Sequence, residues 1–125
     1  MDKINVRAAY PKLVNTIIEG MENVKAHDIS VLNLQALENS VCDFFVICSG
    51  TSNTQVKAIC DRVEKEVRES LNEKPWHIEG KESADWVLMD YVSVVVHIFK
   101  PQSREFYDLE SLWGDAEVVV LEENH

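Results

Sequence analysis

Phe44-Phe45-Val46-Ile47, running on through Cys48-Ser49-Gly50-Thr51-Ser52 into a long amphipathic stretch, decides the architecture of this chain. Four large apolar residues without polar alternation are what a strand buried on both faces requires, so Cys42 to Cys48 reads as an interior strand. Gly50-Thr51-Ser52 breaks it. From Ser52 to about Asn72, Val56, Ile59, Cys60, Val63, Val67 and Leu71 trace one helical face, and Asp61, Arg62, Glu64, Lys65, Arg68 and Glu69 occupy the other. Ser52 is a good N-cap, and Gln55 three residues later can complete a capping box.

Outward from that unit, Leu13, Ile17, Ile18 and Met21 repeat at helical spacing behind Pro11, with Gly20 near the helix end. Asp28 to Leu34 reads as a strand. Downstream, Trp76 to Glu79, Trp86 to Asp90 and Ser93 to Phe99 are predicted as three short strands, the last with Val94-Val95-Val96 as a buried centre. Pro101 opens a third helix, Gln102 to about Trp113, with Phe106, Leu109, Leu112 and Trp113 on its inner face. Ala116 to Leu121 adds an edge strand. The order predicts one α/β domain over residues 1–125, a mixed sheet of about five strands flanked by helices. A right-handed crossover through the long helix is expected if its flanking strands are parallel.

Composition narrows the function. Hydrophobic residues make up 46% and charged residues 27%, ordinary values for a soluble domain, and no apolar run approaches the roughly 18 residues of a membrane span. The N-terminus lacks a basic region followed by an apolar core, so a cytoplasmic protein is expected. Cys42, Cys48 and Cys60 leave one thiol over in any pairing and lack redox or zinc spacing, and His27, His77, His97 and His125 are scattered. Buried thiols and no metal site are expected. His97, inside an apolar run, reads as a hydrogen-bonded structural histidine. The net charge of −10, from 22 acids against 12 bases, opposes direct nucleic-acid binding and favours a basic protein partner.

Seven of the ten aromatic residues, with all three tryptophans, lie between Trp76 and Trp113 and are interleaved with acids. Such a segment either fills a core or meets a basic partner. The strongest enzyme-like signal is Ser49-Gly50-Thr51-Ser52, because amides at a helix start can hold phosphate. It lacks the lysine of a phosphate loop and the glycine spacing of a dinucleotide fingerprint. A nucleotidyltransferase would also need two carboxylates on a following strand to hold magnesium, and here a helix follows. A nucleotide-dependent transferase using the Gly50–Ser52 turn is therefore the alternative reading, and capping and tight turning the main one. Glu79, Glu82, Asp85 and Asp90 fit a solvated binding face better than an acid–base pair. No cofactor is expected.

Gly50-Thr51-Ser52, Glu79-Gly80, Asp85-Trp86, Asp90, Val96-His97 and the closing run Arg104-Glu105-Phe106-Tyr107-Asp108-Leu109-Glu110-Ser111-Leu112-Trp113 together resemble the ribosomal silencing factor family, also called RsfS or Iojap. The resemblance spans about residues 8 to 117. It implies a nucleotidyltransferase-like fold without the catalytic carboxylates, and a protein that is not an enzyme. It further implies binding to the large ribosomal subunit through that subunit's protein number fourteen, blocking the small subunit and repressing translation. Large-subunit maturation is a second role among relatives in organelles, and a homodimer off the ribosome is an expected form.

Carried over on matching positions, Trp86 and Asp90, with Glu79 beside them, are the partner-binding residues of the sheet face, and Met89 and Tyr91 are their neighbours. Arg104, Tyr107, Glu110 and Trp113 match the C-terminal motif, and the resemblance carries them over as partner-binding residues too. Tyr107 and Trp113 either meet the partner or lock the last helix on the sheet. Where many relatives have a glycine and an acid after the tyrosine, this chain has Val92-Ser93, so a wider turn is expected there. Trp76 lies outside the family pattern, as an addition to the same face.

Overall fold

The interior strand predicted at Phe44 lies at the middle of a six-stranded sheet. The computed structural model describes residues 9–38, 40–107 and 117–121. In chain order the elements are α1 (Lys12–Asn23), β1 (His27–Asn33), β2 (Phe44–Ser49), α2 (Asn53–Leu71), β3 (His77–Glu79), β4 (Trp86–Asp90), β5 (Val94–Phe99), α3 (Pro101–Tyr107) and β6 (Glu117–Val120). The sheet order is β3-β4-β5-β2-β1-β6. β2 and β5 pair in parallel, Phe44 with Val94 through Ser49 with Phe99, and every other pairing is antiparallel. Every residue of β2 and β5 is buried, which explains their unbroken apolar runs. The third helix is described only to Tyr107, and its expected continuation to Trp113 lies outside the described residues.

Both long helices pack on one face of the sheet. Leu13, Ile17 and Met21 of α1 and Val56, Ile59, Val63 and Val67 of α2 enclose Val31, Val46, Cys48, Met89, Val96 and Ile98 in the main core. A second, smaller cluster lies on the opposite face, built on Leu32, Phe45, Ile47, Val95 and Phe99, with Trp86 and Leu88 partly buried against it. Alternation along each strand divides the two sets. No long helix covers the second face among the described residues, and it is on this face that surface chemistry is displayed.

The start of α2 departs from the predicted capping box. Ser52 Oγ accepts from the Gln55 amide (3.1 Å), as expected. The Gln55 side chain instead accepts from Thr51, at its amide (2.6 Å) and hydroxyl (2.8 Å), and donates to the carbonyls of Val24 (3.4 Å) and Lys25 (3.2 Å). Gln55 thereby ties the β2–α2 turn to the end of α1. Gly50 is required for closeness: an added Cβ would sit 2.9 Å from Val56 Cγ2 and 3.1 Å from the Val56 amide nitrogen.

The Val92-Ser93 connection is tight, not wide. Tyr91 N donates to Val94 O and Ser93 N donates to Tyr91 O, both at 2.9 Å, and Val92 is held at φ +74°. That γ-turn is strained for any residue with a Cβ, and more so for a branched one. Val92 is also 69% exposed, so its side chain gains little packing in exchange. Val92→Gly should therefore raise the unfolding free energy by about 1 kcal/mol, measured by urea denaturation. A decrease would show that the turn is unstrained.

Candidate functional site

The face left uncovered by the long helices is assembled by parity. In β4, Trp86, Leu88 and Asp90 are half-buried while Val87 and Met89 are fully buried. The antiparallel register sets His77 opposite Asp90 and Glu79 opposite Leu88 on one side, and Val95 opposite Asp90 and His97 opposite Leu88 on the other. Residues paired across strands share a face. Glu79, Trp86 and Asp90, three of the residues expected to meet a partner, thus stand together on the uncovered face.

Two other expectations need correction. Met89 has 0% exposure and Tyr91 6%, and both pack in the main core on the helix side. Neither side chain can touch a partner while the fold is intact. Arg104 is committed to the fold: its guanidinium donates to the Asp28 carbonyl, to Ser49 Oγ (3.1 Å) and to Ser30 Oγ (3.3 Å), bridging the ends of β1 and β2. Ser30 and Ser49 are buried, and this guanidinium supplies each hydroxyl with a donor inside the fold. Tyr107 closes α3 as described, its side chain lying outside the described residues together with all of Glu110 and Trp113.

Trp86 stacks on Phe99, with ring centroids 5.1 Å apart and planes at 25°. Its indole Nε1 donates to His97 Nδ1 at 3.0 Å, and Phe45 meets the His97 ring edge-on at 4.6 Å. His97 is accordingly hydrogen-bonded, as its place in an apolar run led us to expect. An indole N–H can only donate, so Nδ1 must be the accepting nitrogen and the neutral ring carries its proton on Nε2. Burial lowers the His97 pKa from 6.5 to about 4, because water no longer stabilises the imidazolium.

Beside this aromatic group runs a groove of about 490 Å³ lined by Val41, Phe45, Trp76, Leu88, Asp90, Val92, Val95 and His97. Trp76 is 78% exposed and Val41 73%. Asp90 Oδ1 accepts from the Val92 amide (2.7 Å), which fixes the carboxylate beside the hairpin. At the sheet edge His77 Nε2 and Glu79 Oε1 lie 2.7 Å apart. Sequence reading missed Val41, Phe45, Leu88, Val92 and Val95 as a set. The signal for Leu88 was alternation with Trp86 and Asp90, but the others come from two separate segments, 41–45 and 92–95, that only the sheet brings together.

Burial pushes the thiols up, Cys42 to about 11, Cys48 to about 12 and Cys60 to about 11, which leaves them as poor nucleophiles. At the Gly50–Ser52 turn the Thr51 amide, which a phosphate would need, already donates to Gln55.

Comparison with known proteins adds the following. The family described as "Ribosomal silencing factor during starvation" matches residues 7–125. The ribosomal silencing factor RsfS of Halalkalibacterium halodurans is 40% identical over 111 residues, covering 89% of this chain and 93% of that protein. The mouse protein named mitochondrial assembly of ribosomal large subunit protein 1 is 33% identical over 102 residues, covering 80% of this chain and 44% of that one. A crystal structure of a Chromobacterium violaceum protein superposes with a TM-score of 0.77 at 37% identity, covering 82% of this chain and 84% of that one.

Proposed function

This chain belongs to the ribosomal silencing factor family, and on that premise we propose that it docks on the large ribosomal subunit, through the subunit's protein number fourteen, and blocks the approach of the small subunit. The observation that carries the reading is the sheet face that, among the described residues, no long helix covers, where an exposed Trp76 and the acids Glu79 and Asp90 stand beside an apolar groove. A tryptophan that shares a face with carboxylates suits a basic protein surface, since the ring supplies contact area and the acids supply selection by sign. The net charge of −10 works in the same direction by repelling the surrounding RNA. The action is steric, so neither turnover nor a nucleotide is needed, and it takes place in the cytoplasm where subunits join.

The name of the mouse relative favours a second reading, a role in maturation of the large subunit. Light scattering from purified subunits mixed in magnesium separates the two. Preincubating the protein with large subunits should lower the extent of joining, and preincubating it with small subunits should have a smaller effect. An undiminished joining signal at saturating protein would leave maturation as the better reading.

A further inference from the structure

We propose that the groove between Trp76, Val92 and His97 receives an extended segment of the protein partner, whose main-chain carbonyl accepts a hydrogen bond from His97 Nε2. The inference rests on the ribosome-binding reading above and assigns the contacts that would give it specificity.

Three independent features meet in this groove. First, His97 Nε2 carries the ring proton, is buried, and has no acceptor among the described residues; the ring itself is only 3% exposed and lines the groove. A buried donor without an acceptor is destabilising, and a protein that keeps one beside an open groove gains when an occupant brings the acceptor. Second, among the described residues five large hydrophobic side chains are well exposed, and three of them, Val41, Trp76 and Val92, line this groove. Concentration of apolar exposure at one place marks an interaction site. Third, Val92 is held at φ +74° and yet projects its side chain into solvent, and strain retained without packing is a feature of functional surfaces.

The chemistry of the occupant follows. Asp90 is the charged residue in the lining, so a carboxylate is disfavoured as the acceptor for His97, and a backbone carbonyl is the neutral alternative. An apolar side chain fits between Trp76 and Val92, and a lysine or arginine next to it pairs with Asp90. A second copy of this chain would bring its own net charge of −10 to an acidic face, so charge complementarity selects a basic partner over self-association.

The test is the affinity of purified large subunits for the full chain and four variants, read by pelleting. Trp76→Ala and Val92→Gly should each weaken binding by about tenfold or more, as loss of an interface anchor does, with Val92→Gly retaining or exceeding wild-type stability. His97→Asn should also weaken binding, because the asparagine oxygen can still accept from Trp86 while the Nε2 donor is gone. Lys65→Ala, on the exposed face of α2, is the control and should bind as wild type does. Wild-type binding with unchanged affinity in Trp76→Ala and Val92→Gly would overturn the groove and leave the ribosome reading standing, whereas no binding by the wild type would overturn that reading itself. A dimer that Trp76→Ala converts to monomer, with subunit affinity unchanged, would identify a second copy as the occupant and likewise overturn the proposal.

Discussion

Gly80→Ala should destabilise the protein by more than about 3 kcal/mol and lower its melting temperature by on the order of 10 °C. Two effects add. Gly80 adopts φ +83°, where an L side chain is strained, and its Cβ would fall 2.1 Å from the Trp86 carbonyl oxygen. A backbone oxygen cannot swing aside as a flexible side chain can, so the β3–β4 connection must open. That connection is closed by the Ala84 amide donating to Gly80 O (2.9 Å), and Ala84, itself at φ +58°, buries its methyl completely in the main core. Opening the loop therefore disturbs the core and the start of β4, where Trp86 stands. A melting temperature within a few degrees of wild type would mean that the loop has room the structure does not show. The pairing of Glu79 with Gly80 in the sequence acquires a physical cause: the acid belongs to the sheet face, and the glycine permits the turn that places Trp86 beside it.

Stability should also fall by about 2 kcal/mol between pH 7 and pH 5, and this loss should trace to His97. The folded-state pKa of His97 is depressed from 6.5 to about 4. A depressed pKa means that the unfolded chain takes up the proton first. The stabilising contribution is then complete above pH 6.5 and is lost as pH falls toward the folded value. Integrated across the whole shift it amounts to roughly 3 kcal/mol. Geometry agrees in sign, since a proton on Nδ1 would face the indole N–H of Trp86, two donors where the structure has a donor and an acceptor. Phe45, Phe99 and Trp86 surround the ring, and Asp90 lines the same groove. Urea unfolding at both pH values, in wild type and His97→Asn, checks this: the pH dependence should shrink in the variant. Equal slopes in the two proteins would assign the loss to other groups.

Much of the fold was legible because burial on both faces leaves a strong signature. Phe44 to Ile47 and Val94 to Val96 could be little other than interior strands, and the helix from Ser52 carried both its cap and its apolar stripe. The parallel pairing of β2 with β5 was not legible, since nothing local specifies which strand a buried strand will join. That Glu79, Trp86 and Asp90 share one face was legible, because alternation along neighbouring residues carries it. Met89 and Tyr91 were misplaced because proximity in sequence was weighed above parity: alternation from Trp86 through Asp90 puts Met89 on the other face, and Tyr91 follows it. The structural part that Arg104 plays was not legible, because its partners Ser30 and Ser49 lie more than fifty residues away. The groove joins Val41, Trp76, Val92 and Val95 from separate segments, a convergence that only the strand order reveals.

Whether this chain occupies the joining face of the large subunit is decided by gradient sedimentation of the protein with isolated large subunits, isolated small subunits and joined ribosomes. Co-migration with the large subunit is expected, with absence from small subunits and from joined ribosomes, and weaker binding at higher salt as charge steering is screened. Co-migration with joined ribosomes to the same extent as with large subunits, or with none of the three, would contradict it.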